Sequence, residues 1–82
     1  MREQAHIIAY DISSPRRRGR VARYLVARGV RVQKSVFVSR LTPARARKLR
    51  QALERLIDPT VDRLMIEPVA GKGFERPDAL IF

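Results

Sequence analysis

Ile7-Ile8-Ala9-Tyr10-Asp11-Ile12-Ser13-Ser14-Pro15 is the stretch from which the rest of the chain is read. The Ile-rich apolar run predicts a strand from about Ala5 to Asp11. Ser14 then suits a helix cap, and Pro15 the first helical position, where no amide hydrogen is needed. The end of a strand just before a helix is where many α/β-type folds place ligands, and helix amides there assist a phosphate. Asp11 stands at that junction. It is also the only acidic residue between Gln4 and Leu53, a segment that holds thirteen basic ones. Either the Asp11 carboxylate is cancelled, by the amides of Ser13 or Ser14 or by Arg18 or Arg20, or it is reserved. The uses open to a reserved carboxylate are a metal ion, or a proton transfer beside a bound phosphate.

Further along, Val21, Ala22, Leu25 and Val26 share one helical face. Gly29 is expected to stop that helix in a left-handed conformation. Arg16, Arg17, Arg20 and Arg23 cover its remaining surface, and such a concentration opposes the positive end of the helix dipole. Val30 to Leu41 is β-like, with Val30, Val32, Val36, Phe37 and Val38. It is either one strand or two bent near Lys34-Ser35, with no Gly, Pro or Asn to mark a tight hairpin. Thr42-Pro43 repeats the cap signal. The helix it starts presents Ala46, Leu49, Leu53 and Leu56 on one face, and Asp58-Pro59 is expected to close it. Leu64 to Val69 reads as a strand whose Pro68 belongs on an edge or at a strand end. Gly71-Lys72-Gly73 is a loop too short for a nucleotide fingerprint. The apolar tail Ala79-Leu80-Ile81-Phe82 suits pairing with a sheet edge, in a symmetric dimer that of the other subunit. This order predicts an α+β sandwich in a single domain over residues 1–82.

Composition narrows the partner. Residues 1–50 hold fourteen Lys/Arg against two Asp/Glu, whereas residues 51–82 hold four against six. Arginine outnumbers lysine fifteen to three, and its planar fork suits bidentate phosphate contact. A nucleic acid is the natural partner of such a chain. A membrane surface fits less well, because interfacial helices pair a basic face with Trp, Phe or Leu, and Trp is absent. No segment approaches the ~18 apolar residues of a span, and no secretory pattern opens the chain. The expectation is a soluble, cytoplasmic protein. A chain of 82 residues buries only roughly 60–65% of its unfolded surface, and without cysteine it has no disulfide to add, so oligomerisation is expected.

Competing chemistries are thin. His6 is the only histidine and lies inside the first strand; with no cysteine, a zinc set is missing. Ser13, Ser14, Ser35 and Ser39 have no His-Asp relay. Tyr10 and Phe37 either pack the core or stack on an unpaired base. Arg18, Arg20 and Arg31 remain as phosphate contacts. One Asp11 is a poor magnesium site alone, but a two-fold axis nearby would supply a second.

Tyr10-Asp11-Ile12, the basic helix with Arg18 and Arg20, and Gly29-Val30-Arg31-Val32-Gln33-Lys34-Ser35-Val36-Phe37 together resemble the CRISPR-associated protein 2 family. Asp78-Ala79-Leu80-Ile81-Phe82 is similar to the ending of many members. The resemblance implies a ferredoxin-like βαββαβ sandwich and a homodimer whose C-terminal strand adds to the partner subunit's sheet. It implies that Asp11 is a ligand of magnesium (Mg2+) shared across the dimer axis. It ties activity to Tyr10, Arg18, Arg20, Arg31, Ser35 and Phe37 as well as Asp11. Val38 departs from the family, where the residue after Phe37 is often acidic. Members act as metal-dependent endonucleases on RNA or double-stranded DNA, or as a non-catalytic bridge between dimers of the CRISPR integrase during spacer acquisition. A rival from another class is a non-catalytic ferredoxin-like RNA-binding module, which lacks the several surface aromatics such sheets use for stacking.

Overall fold

Alternation along the first strand organises the molecule. In the computed structural model, which describes residues 2–69, β1 spans Gln4–Asp11. Its Ile8 and Tyr10 join the core cluster with Ile12. Successive side chains of a strand point to opposite faces, so Ile7, Ala9 and Asp11 lie on the other side of the sheet. After β1 come α1 (Pro15–Val26), β2 (Val30–Gln33), β3 (Val36–Leu41), α2 (Pro43–Glu54) and β4 (Arg63–Pro68). The sheet order is β2-β3-β1-β4, with every neighbouring pair antiparallel. This is the expected α+β, ferredoxin-like βαββαβ arrangement. Phe37, Leu41 and Ile66 of the sheet meet Val21 and Leu25 of α1 and Leu49 and Leu53 of α2 in one core. Both helices therefore cover the same face.

The two cap signals work as read. Ser14 Oγ accepts from the Arg17 amide, Thr42 Oγ1 accepts from the Arg45 amide, and each helix starts on its proline. Four expectations are corrected. Val26 is 60% exposed, because α1 ends there and its last turn projects beyond the sheet-covered stripe of Val21 and Leu25. Gly29 does not adopt a left-handed conformation; a Cβ there would lie 2.7 Å from the Val38 carbonyl oxygen. Close backbone approach, not a special dihedral, is what requires glycine. Helix α2 stops at Glu54, four residues before Asp58-Pro59, and the Leu56 amide donates to the Leu53 carbonyl in a final turn. The last strand begins at Arg63 and ends at Pro68 on a sheet edge.

The Val30–Leu41 segment resolves into two strands joined at Lys34-Ser35. The turn lacks glycine and asparagine, but the Arg31 guanidinium holds it. Its Nε and Nη2 donate to the Lys34 carbonyl at 3.2 and 2.8 Å. A register shift between Arg31 and Gln33 accompanies the bend. Gly71-Lys72-Gly73 and the tail expected to join the partner's sheet lie outside the described residues. Among the described residues, no helix is long and apolar enough to cross a membrane.

Candidate functional site

Asp11 is the last residue of β1 and is exposed. It sits at one end of the sheet face that the helices leave uncovered, directly across the β1–β4 ladder from exposed Arg63. Both line an open groove of about 520 Å³ with Ala9, Tyr10, Leu64 and Met65. Among the described residues no cation comes within ion-pairing distance of the Asp11 carboxylate. Of its possible local partners, the Ser13 amide serves Asp62, and no hydrogen bond from the Ser14 amide to Asp11 is seen among the described residues. Arg18 donates to the Ile12 carbonyl at 3.1 Å. The cancelled-carboxylate alternative is thus not realised within one protomer's described residues. Nor do three His, Cys, Asp or Glu side chains converge anywhere among them. One protomer offers a single free carboxylate at this place, which fits a magnesium site only when a second copy contributes its own.

The residues tied to Asp11 by sequence divide by location. Arg20 is exposed on α1, and no hydrogen bond from it is seen among the described residues. Arg18 is half-buried and anchors the β1–α1 junction. Arg31, though exposed, spends its fork on the Lys34 carbonyl and lies 5.3 Å above the Phe37 ring. Tyr10 and Phe37 are buried and stacked, with ring centroids 6.4 Å apart. Of packing and base stacking, they do the first. The Tyr10 hydroxyl is buried without a hydrogen-bond partner among the described residues. Ser35 accepts from the Tyr10 amide through its carbonyl, 3.2 Å away. The β2–β3 turn is thereby tied to the residue preceding Asp11. Ser35, Arg31, Phe37 and Tyr10 form one connected support behind Asp11, while Arg20 stands apart on the helix.

Sequence reasoning does not single out Asp62, yet it sets the position of α1. Arg17 Nε and Nη2 donate to its two carboxylate oxygens at 2.8 and 3.2 Å, and the Asp58 amide donates at 2.8 Å. The Asp62 side chain is fully buried and that of Arg17 largely so. The Arg17 hydrogen bonds, helped by the Asp58 amide, hold the carboxyl down at about 2 against the opposing effect of burial. This pair fastens the first turn of α1 to the residue before Arg63. One of the four arginines near the helix start is therefore structural, which relieves part of the clash with the helix dipole. The partners lie 45 residues apart, and no local pattern announces them.

Comparison with known proteins matches these elements. The family model described as CRISPR associated protein Cas2 matches residues 4–76. A protein of Nitrosomonas europaea named CRISPR-associated endoribonuclease Cas2 1 is 42% identical over 69 residues, 84% of this chain. The chain spans only 66% of that relative's length. A Thermus thermophilus protein named CRISPR-associated endonuclease Cas2 2 is 40% identical over 88% of this chain and 80% of its own. The crystal structure of Streptococcus pyogenes Cas2 superposes with a TM-score of 0.75 at 30% identity, covering 87% of this chain and 90% of that one. With the same βαββαβ order and a family match running from β1 through β4, this chain belongs to the CRISPR associated protein Cas2 family.

Proposed function

We propose that the chain works as a homodimeric, magnesium-dependent endonuclease on RNA or duplex DNA, acting beside the CRISPR integrase in spacer acquisition. The observation that carries this reading is the exposed Asp11 carboxylate, without an ion-pair partner among the described residues of a chain whose net charge is +10. A free carboxylate in a cationic field is poorly explained by stability, since pairing was available a few residues away. Exposed apolar residues on part of the sheet face opposite the helices support a dimer, although Ala5 and Val38 on the same face are buried. Met65 and Val30 there are 43% and 47% exposed, and Ile7, Ala9 and Val36 lie between them by register. A chain this small gains from covering such a face.

Asp11 of both copies would hold Mg2+, whose chemistry when bound is to polarise a phosphodiester and to activate water. The divalent charge also offsets the repulsion of two nearby carboxylates. Arg20 and Arg63 offer cations for the non-bridging oxygens, and Arg31, Ser35 and Phe37 keep the strand ends beneath Asp11 in place. The endoribonuclease and endonuclease names of the relatives support this reaction class.

The test is cleavage of RNA and of duplex DNA across a magnesium titration, native protein against Asp11→Ala. Cleavage is expected to disappear in the variant at every magnesium concentration while binding persists. Undiminished cleavage by Asp11→Ala sinks the proposal. A second reading, a non-catalytic holder of DNA that bridges integrase subunits, is favoured because Asp11 stands alone at the candidate site, with no three His, Cys, Asp or Glu side chains converging among the described residues. Under that reading the native protein does not cleave, yet it binds duplex DNA with log affinity falling against log salt at a slope of roughly −4 to −5 for four to six phosphates.

A further inference from the structure

At the end of the sheet away from Asp11, α1, β3 and α2 enclose a second hollow of about 290 Å³. Arg28, Arg40, Arg45 and Lys48 line it, so four cations share one concavity. Arg28 is held in place. Its guanidinium lies 3.5 Å from the centre of the Tyr24 ring, and its Nη1 donates to the Tyr24 carbonyl at 2.9 Å. Ser39 fastens the same residue from below by donating to the Arg28 carbonyl at 2.7 Å. Arg45 and Lys48 rise from the first two turns of α2, and the first turn carries no acidic residue. The helix dipole therefore adds to the positive potential.

Among the described residues, the only carboxylate against these cations is that of Glu3. It meets Arg45 at 3.3 Å with both side chains well exposed. An exposed pair of this kind contributes little and is weakened by salt, so a phosphate displaces it easily. A fold gains nothing from four like charges around one hollow, because they repel one another in the free protein.

We propose that this hollow is a second phosphate-binding site, which grips a nucleic-acid backbone on the helix side of the sheet. The hollow lies on the helix side of the sheet, where Arg40 pairs in register with Ala5, six residues along β1 from Asp11, whereas Asp11 belongs to the opposite face. The proposal rests on the nucleic-acid reading above but not on cleavage.

The experiment compares two double variants of the whole protein in duplex-DNA binding by fluorescence anisotropy across a salt series. Arg45→Gln with Lys48→Gln removes two cations from the hollow. Arg47→Gln with Arg55→Gln removes two exposed cations of the same helix region that do not line it. Removing one phosphate-binding cation flattens the log–log salt slope by about one, so the first pair should flatten it by about two and the second by much less. Glu3→Gln should tighten binding. Equal slopes for the two double variants overturn the proposal, because the effect is then one of net charge. A native protein whose DNA binding ignores salt overturns both the hollow and the nucleic-acid reading. Loss of cleavage alone touches neither.

Discussion

Replacing Tyr10 with Phe removes one oxygen from the core and leaves the rest of the ring in place. Among the described residues the buried Tyr10 hydroxyl has no hydrogen-bond partner, while the ring stacks on Phe37 at 6.4 Å and 24°. Leaving a buried hydroxyl unsatisfied costs about 1–3 kcal/mol. The stacking contact is unchanged in the variant, so the substitution should recover about 1 kcal/mol or more of that cost. In a domain of this size each kcal/mol moves Tm by roughly 4–8 °C. The expected result is a rise of several degrees for Tyr10→Phe in a thermal melt followed by circular dichroism at fixed protein concentration. Cleavage, measured on the same preparation, should be retained, since the hydroxyl is shielded from substrate. A fall in Tm shows that the hydroxyl has a partner in the folded protein and refutes the stability argument. Lost cleavage at a raised or unchanged Tm refutes the shielding argument, and gives the Tyr10 hydroxyl a direct part in the chemistry.

The two helix-region glycines should respond in opposite directions. Gly29→Ala drives a Cβ to 2.7 Å from the Val38 carbonyl oxygen and should destabilise by about 1–3 kcal/mol in denaturant melts, as overpacking does. Gly19→Ala meets only the flexible end of Arg23 at 3.4 Å and should stabilise by up to about 1 kcal/mol, the helix propensity difference. The acid limb of stability should depend on Asp62. Its carboxyl is lowered from 3.8 to about 2 in the folded chain, so its contribution is complete above the unfolded value and disappears as pH falls through the folded one. Melts of native protein between those values should steepen relative to Asp62→Asn, which lacks the titration and is less stable at neutral pH; parallel acid limbs refute the assignment.

Much of the architecture was legible in short stretches. Ser14-Pro15 and Thr42-Pro43 announce the helix starts because capping is chemistry between residues three apart, and the structure shows both caps in use. The apolar run ending at Asp11 announces the central strand. Helix ends were less legible. Asp58-Pro59 is a barrier to a helix, but α2 stops at Glu54 before reaching it, in a final turn closed by the Leu56 amide on the Leu53 carbonyl. Val26 fits the apolar stripe of α1 by spacing, yet it is exposed, and no described element lies over it. The β2–β3 turn escaped sequence reasoning because its clamp is a guanidinium on a carbonyl three residues away, and not a residue with a special backbone conformation.

For the candidate site, the sequence by itself determined the residue types: one carboxylate among arginines at a strand end, and a basic first half suited to phosphate. Those follow from composition and local order, which need no fold. Only the tertiary structure decided how the arginines divide. It turned Arg17 inward to Asp62 and Arg31 down onto Lys34. It gathered Arg28, Arg40, Arg45 and Lys48 around one hollow, and it left Asp11 on the sheet face opposite the helices. Pairings between residues far apart in the chain depend on strand order and register, and charges alone do not specify them.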